Sequence, residues 1–326
     1  MGALGIGIIG AGKHGLRYVR HLTEEVADAR LVALCRRDRR EGEAAAAALG
    51  CAFHGDWRAL VEDPRVDAVV TVVPPVLNVA IAEAACRAGK HLLLEKPLAV
   101  TVEAARRIAA VVDAAGVRAM VAQTLRFDAT VAAVRAHVPA IAPLHAVALS
   151  QRFEPSPLAW LDRVAESGGG VLLHTGIHSI DLLRVLSAHE VVEVSCLTAR
   201  VLTRETEDNF VLLARLDADG LLGHVTGSRA VAARTGLIEL AGAGGAIVAD
   251  HVHRVAWLVR GRERTPISLP PAVPTVREAL RAFVAGVLTG APMPVSVEDG
   301  LRAVAIVDAA YRSAARAGAP VPVPRG

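Results

Sequence analysis

Aromatic residues make up only 3% of this 326-residue chain. Basic residues are never gathered into a long block. The densest cluster, Arg36, Arg37, Arg39 and Arg40, has no aromatic residue interleaved with it, and the formal charge is only +3. That combination argues against a nucleic-acid surface. Cysteine is scarce too: Cys35, Cys51, Cys86 and Cys196 form no C-x-x-C pair, and nothing suggests a disulfide framework. Mean hydropathy is positive, yet no run is long and charge-free enough to span a membrane. The stretch 68–86 is interrupted by Pro74, Pro75, Asn78 and Glu83. The apolar start 1–11 lacks a charged leader and runs straight into a glycine motif that needs it as a strand. These absences point to a soluble, cytoplasmic protein that engages neither membrane nor nucleic acid. Lysine is rare as well, limited to Lys13, Lys90 and Lys96.

Apolar residues, much of them alanine, account for 53% of the chain, enough for a sizeable core. The length suits two domains. Over the first 122 residues short apolar runs alternate with helical patterns. Strands are predicted at 4–9, 30–35, near 52–53, at 66–72, up to Glu95, and at 117–121. Helices are predicted at 13–27, 40–49, 56–61, 76–88 and 102–115. This alternation predicts right-handed βαβ units and a parallel sheet. Beyond residue 122 the pattern changes. Helices are predicted at 128–137, from about 170 to 186, at 275–288 and at 297–317. Strand-like runs at 190–202, 210–216, 221–227, 236–241 and 246–249 are spaced like an antiparallel meander, and the tail 320–324 is extended. The expected domains are 1–122 and 123–326, and no internal repeat is visible.

Gly10-Ala11-Gly12-Lys13-His14-Gly15 is G-x-G-x-x-G in the context the motif requires, after a strand and opening a helix. The first glycine makes the turn, the second admits a pyrophosphate, and the third lets helix and strand pack closely. The helix start then offers unsatisfied N–H groups to the phosphates, beside Lys13 and His14. An NAD site expects a carboxylate at the end of the second strand, for the ribose 2′-hydroxyl. Here that place holds Arg36 followed by Arg37, and a guanidinium suits a 2′-phosphate. NADP is therefore the expected cofactor, with NAD possible if Asp38 reaches the ribose. The other reading of these arginines is solvated charge on a loop. Val73 and Pro74 end another strand at the same edge, either against the nicotinamide half or simply as a rigid turn with Pro75.

Glu95-Lys96-Pro97 follows the apolar run 91–94, which places Lys96 at the carboxyl end of a buried strand, where open α/β sheets bind ligands. A lysine can lose its proton when partly buried and an arginine cannot. Lys96 is thus either a proton donor or acceptor, or a surface loop lysine. In Gly168-Gly-Gly-Val-Leu-Leu-His174-Thr-Gly-Ile-His178-Ser-Ile-Asp181, the two histidines and the aspartate share one helical face. His-x-x-x-His can hold zinc, but no glutamate follows His174 as in H-E-x-x-H, so no metal is assigned. The remaining readings are histidines satisfied by backbone and a histidine acting as a base.

The glycine motif, Val73-Pro-Pro75, Ala88-Gly-Lys-His91, Glu95-Lys-Pro97 and Gly168-Gly-Gly170…Gly176-Ile-His178-Ser-Ile-Asp181 occur in an order and spacing that resembles the Gfo/Idh/MocA oxidoreductases. Val297-Glu-Asp-Gly-Leu301 and Tyr311-Arg-Ser313 extend the likeness to the closing helices. The resemblance implies an α/β protein: an N-terminal Rossmann domain plus a C-terminal α/β domain with a large, mostly antiparallel open sheet, which in the family packs into homodimers or homotetramers. It implies NAD(P)-dependent oxidation or reduction of a secondary alcohol of a sugar, cyclitol or related polyol. Carried over, Lys96 and His178 are the catalytic pair and Glu95 lines the cofactor side. A departure is His174, where the family carries an aspartate, and it is assigned here to the substrate. Another is Asn78, where a histidine is common. Arg126, Arg152 and Trp160, with Asp162, are further candidates for a polar substrate pocket. The alternatives are an ion pair for each arginine and core packing for the tryptophan. His251 and His253 alternate on a predicted strand and read as surface or interface.

A histidine needs almost no pKa shift to act near neutrality, whereas a lysine would have to fall about three units, roughly 4 kcal/mol. His178 is therefore the expected acid/base, and a protonated Lys96 the partner of the developing alkoxide. Two other functions remain open: a non-catalytic nicotinamide-binding sensor, and a redox-cycling glycosidase or aldose–aldose oxidoreductase that keeps its cofactor bound.

Overall fold

The computed structural model describes residues 2–324. The described residues form two compact units, 2–124 with 274–301, and 125–273 with 302–324. In the first, β1 (Leu4–Ile9), α1 (Gly15–Glu25), β2 (Ala29–Cys35), α2 (Arg39–Leu49), β3 (Ala52–His54), α3 (Trp57–Glu62), β4 (Ala68–Thr71), α4 (Asn78–Arg87), β5 (His91–Glu95), α5 (Val102–Ala115) and β6 (Ala119–Ala122) alternate as expected. Their six strands form one parallel sheet in the order β3-β2-β1-β4-β5-β6. Ile6, Ile8, Val69, Val70 and Leu92 to Leu94 are fully buried, because helices cover both faces of such a sheet. The chain order reverses direction between β1 and β4, and the carboxyl ends of these two strands open the crevice where doubly wound sheets bind ligands.

The second unit opens with α6 (Ala129–His137) and β7 (Leu144–Arg152), and continues with the short helix α7 (Val164–Ser167), a π-helical segment (Leu172–Gly176) and α8 (Ile177–Ser187). Then come β8 (Val191–Ala199), β9 (Asn209–Leu216), β10 (Leu222–Ser228), β11 (Thr235–Gly242), β12 (Gly245–Asp250), β13 (Val255–Arg260) and β14 (Glu263–Pro266). These strands and the late β15 (Val321–Pro322) form a nine-stranded sheet, β14-β13-β12-β11-β7-β10-β9-β8-β15. All its pairs are antiparallel except β7 with β10. β7 escapes the sequence pattern yet occupies the centre of the sheet, so the run is not a simple meander. Its outward positions are Ala146, Ala148 and Ser150, which blur the alternation between polar and apolar that marks a strand.

One face of this sheet carries α8: a side chain on Gly223 would strike Leu183 of that helix. The other face presents Leu197, Val211, Leu213, Leu222, Leu237 and Val248, each at least 37% exposed. The π-helical segment ahead of α8 also departs from the single helix predicted over 170–186.

Two helices close the fold, α9 (Thr275–Thr289) and α10 (Val297–Ala314). α9 buries Val276, Ala279, Leu280, Phe283 and Val284, an i, i+3, i+4, i+7, i+8 stripe, in the first unit. There Arg277 pairs with Glu25 of α1 at 2.6 Å. Residues 274–301 thus return to the parallel sheet, which a single cut at residue 122 does not represent. Among the described residues no helix is long and apolar enough to cross a membrane.

Candidate active site

The three motif glycines do different work. Gly10 has φ of +95°, and a Cβ there would lie 2.1 Å from the Val72 carbonyl oxygen. A Cβ on Gly15 would lie 2.2 Å from the Gly10 carbonyl, pinning the start of α1 against β1. Gly12 faces open space: a Cβ there would meet nothing within 4 Å beyond its chain neighbours. The loop is thus closed on the protein side and open on the other, beside the free N–H groups that start α1. It fits the pyrophosphate of a dinucleotide. Lys13 and His14 are exposed on this loop, and Val73 and Pro74 stand half-buried beside it.

Glu95, at the end of β5, is buried and accepts a 2.7 Å bond from His14 Nε2 and a 2.6 Å bond from the Tyr18 hydroxyl of α1. Its second oxygen accepts the Lys96 backbone N–H at 3.1 Å. Burial alone would raise the Glu95 pKa, but the His14 bond, the charges of His14 and Lys96, and the Tyr18 bond together hold it below the ordinary carboxylate value. Burial, and then Glu95 itself, drives the Tyr18 hydroxyl well above its ordinary value. On the far side of Lys96, the buried Asn78 amide donates to the carbonyls of Pro97 at 3.3 Å and Leu98 at 3.0 Å. Lys96 is therefore clamped fore and aft at the carboxyl edge of the sheet. The next strand over ends at Ala122, paired with Glu95. The Gln123 that follows it has both amide atoms buried with no hydrogen-bond partner among the described residues, a feature for which the sequence carries no signal.

At the end of β2, Arg36 donates to the Ala11 carbonyl at 3.3 Å and pairs with Glu41. Arg37 is exposed. Asp38 caps α2 by accepting the Glu41 N–H at 2.9 Å, so its carboxylate is engaged in starting that helix.

In the second unit, the run Gly168 to Gly170 exists because something must pass close by. A Cβ on Gly169 would lie 2.3 Å from the Tyr311 hydroxyl, and one on Gly170 would lie 2.0 Å from the Glu207 carbonyl. The Glu207 carboxylate accepts N–H bonds from Gly170 at 3.1 Å and Leu172 at 3.0 Å and the Tyr311 hydroxyl at 2.8 Å. Burial raises its pKa, and these bonds only partly reverse that. The anchored segment delivers His174 and His178. His174 is buried, its Nε2 donating to the Ser167 carbonyl at 2.9 Å and its ring edge-on to Trp160 at 5.5 Å. His178 is half-exposed, and every other residue from 169 to 183 is buried. It is the one group of this segment that reaches the surface.

Other candidates fall elsewhere. Arg126 is locked on Asp181 by two bonds of 2.7 and 2.6 Å, with Asp181 only 1% exposed. It is a buried ion pair, with Arg184 3.9 Å from the same carboxylate. Arg152 donates to Thr226 Oγ1 at 3.1 Å and to the Gln151 carbonyl. Thr226 pairs with Ser150 on the sheet face turned away from α8, so Arg152 lies on the opposite face from His178. Asp162 accepts the N–H groups of Arg204, Glu205 and Thr206, and the Arg204 bond foremost lowers its pKa to about 2. It pins a loop. His251 lies in a turn, not on a strand, and its ring covers Gly236. Its Nε2 and the Oε1 of Gln151, the cross-strand partner of Gly236, are both buried without a partner among the described residues. His253 is exposed and pairs with Asp250 at 2.8 Å.

A doubly wound parallel sheet with this loop defines a dinucleotide-binding domain. Residues 4–123 match the oxidoreductase family with NAD-binding Rossmann fold, and residues 142–248 match the GFO/IDH/MocA C-terminal domain. The chain belongs to the Gfo/Idh/MocA family. It is 29% identical to inositol 2-dehydrogenase of Rhizobium meliloti strain 1021, over 95% of this chain and 96% of that one. It is 30% identical to myo-inositol 2-dehydrogenase of Thermotoga maritima, over 94% and 95%. Among solved structures, the aldose-aldose oxidoreductase from Caulobacter crescentus complexed with glycerol superimposes with a TM-score of 0.89 at 25% identity, covering 98% of this chain and 99% of that one. The protein is a dehydrogenase acting on CH–OH groups.

Removing Arg126 takes two charged hydrogen bonds from the Asp181 carboxylate, while Arg184 remains 3.9 Å from it. Arg126→Ala is expected to lose about 1.5–3 kcal/mol of folding stability, the range of hydrogen bonds to a charged group, read by urea unfolding of the ligand-free protein. A loss below about 0.5 kcal/mol, the range of an ordinary surface change, would return Arg126 to the substrate.

Proposed function

We propose that this protein is an NADP-preferring dehydrogenase or reductase acting on a secondary alcohol or ketone of a sugar, cyclitol or related polyol. The observation that carries the reading is the clamp on Lys96, with Glu95 held by His14 and Tyr18 on one side and Asn78 holding the next two carbonyls on the other. Gly10, Gly12, Gly15, Lys13 and His14 would hold the pyrophosphate, and Val73, Pro74 and Glu95 the adjoining part. When bound, the nicotinamide accepts or supplies the hydride. In the oxidising direction His178 takes the proton from the substrate hydroxyl, and a protonated Lys96 stabilises the oxygen as it gains charge. Lys96→Met and His178→Asn are each expected to lower kcat by about 10²–10⁴-fold with nucleotide affinity kept within a few-fold. Near-normal turnover of His178→Asn at every pH would remove it from proton transfer.

NADP is favoured because Asp38 is engaged at the start of α2 while Arg36 stands at the end of β2. Arg36 is also paired with Glu41, whose charge would oppose a 2′-phosphate. Fluorescence titration should therefore show NADPH bound more tightly than NADH. Arg36→Ala should erase the difference, and Glu41→Gln should enlarge it. An unchanged NADPH-to-NADH ratio in both variants would assign the ribose to other groups. The likeness to the aldose–aldose oxidoreductase favours one further reading, a redox-cycling enzyme. That form would release nucleotide only on denaturation.

A homo-oligomer is proposed on the outer face of the nine-stranded sheet. Its exposed leucines and valines form a contiguous apolar band, interrupted by Glu239 and His224 in one cross-strand row and by Arg215 in the next. A second copy can pair those charges while covering the band. Sedimentation should show an oligomer that Leu213→Glu dissociates. A monomeric parent protein would rule this out.

A further inference from the structure

Two of the half-buried arginines of the second unit have an acid, and a third, Arg152, bonds to a threonine hydroxyl and a backbone carbonyl. Arg126 has Asp181 and Arg184 has Glu190. Even the more exposed Arg234 has Glu154, at 2.7 Å. Arg229, directly after β10, does not. Its backbone N–H donates to the Asp208 carbonyl at 2.8 Å, and its Nε donates to Thr175 Oγ1 at 2.8 Å. No carboxylate pairs with its guanidinium among the described residues, and its two Nη nitrogens donate to no protein group there. The nearest charge influencing it is the like charge of Arg234. Both guanidinium groups lie over the Phe153 ring, Arg229 at 5.9 Å and Arg234 at 5.1 Å from its centre. Burial foremost, and then Arg234, disfavours the charge on Arg229. A guanidinium nevertheless stays protonated in proteins, so the unpaired charge persists and favours an anion.

Thr175 places this charge. It belongs to the buried π-helical segment, three residues before His178 in the helix that follows. The Arg229 Nε grips that segment, and both Nη groups remain for a ligand.

We propose that Arg229 anchors a carboxylate carried by the polyol substrate, making the substrate class a sugar acid or a carboxylated cyclitol. The proposal rests on the dehydrogenase reading above and narrows it. The planar fork of two Nη groups matches the two oxygens of a carboxylate. Glu154 already offsets Arg234, so the cluster has one positive charge to balance, which fits a carboxylate better than a phosphate monoester at about −1.5 to −2.

The test uses the whole protein with NADP(H) or NAD(H) present. D-glucuronate, D-galacturonate and D-gluconate are compared with glucose, galactose, myo-inositol and glucose 6-phosphate, by calorimetric binding and then by kcat/KM. The acids should bind about ten- to hundredfold more tightly than the neutral compounds, the range of a charged hydrogen-bonded pair. Arg229→Gln should erase that preference, and Arg229→Lys should restore part of it. Equal binding of acids and neutral sugars, preference for the phosphate, binding of no compound at all, or an acid preference that survives in Arg229→Gln would each overturn the proposal. Nucleotide binding is measured alongside. If it holds and a neutral polyol is oxidised, only the carboxylate proposal fails. If nucleotide does not bind, the dehydrogenase reading itself fails.

Discussion

A carboxylate kept ionised inside the fold organises the first unit. Glu95 sits at the end of a strand whose other residues are apolar and fully buried from Leu92 to Leu94. Taking such a charge out of water costs several kcal/mol unless it is paired and hydrogen-bonded. His14 and Tyr18 supply those bonds, and both belong to the turn and helix that follow β1. The cost of the buried charge is thus met only when the glycine loop lies against the end of β5. The nucleotide loop and the backbone at Lys96 are held by one group. Since the folded-state pKa lies below the ordinary value, this contribution is present at neutral pH and is lost as pH falls through the folded value.

The second unit uses a buried carboxylate differently. Glu207 collects two backbone N–H groups and the Tyr311 hydroxyl, and burial still raises its pKa. It gathers a glycine run into close packing. The donors come from Gly170 and from Leu172, the first residue of the π-helical segment, so Glu207 holds the start of that segment. From there the spacing to His178 is fixed by the helix. His178 reaches the surface while its neighbours do not because the whole stretch before and after it is packed.

Much of this was legible in the residues. The alternation of short apolar runs with alanine-rich helices is a local signal, and it located each strand of the parallel sheet. The glycine spacing identified the loop, because each glycine answers a local steric demand. Lys96 and His178 stood out for chemistry and position. What escaped depended on partners distant in sequence. β7 was invisible because its outward side chains are small. Arg126 read as a pocket arginine because nothing in a linear sequence shows Asp181 packed on it, 55 residues later. His251 read as one of an alternating surface pair because the turn after β12, which holds both it and His253, is not encoded by a glycine or proline. Asn78 was noticed as a departure, but its hold on the backbone after Lys96 required the structure.

Arg36 and Arg229 show how the same side chain takes opposite roles through its neighbours. Arg36 is partly exposed and shares its charge with Glu41, so an incoming anion must compete with a carboxylate already in place. The gain from binding is then a difference between two similar pairs, and selectivity of that kind is modest and responds to either partner. Arg229 has no such competitor, and burial disfavours its charge before any ligand arrives. An anion there replaces lost solvation instead of displacing a carboxylate, in a setting of lower dielectric where each charged bond is stronger. The cationic position without an acid is therefore the one with more free energy to yield on binding. It is held by Thr175, in the buried segment that leads into the helix carrying His178.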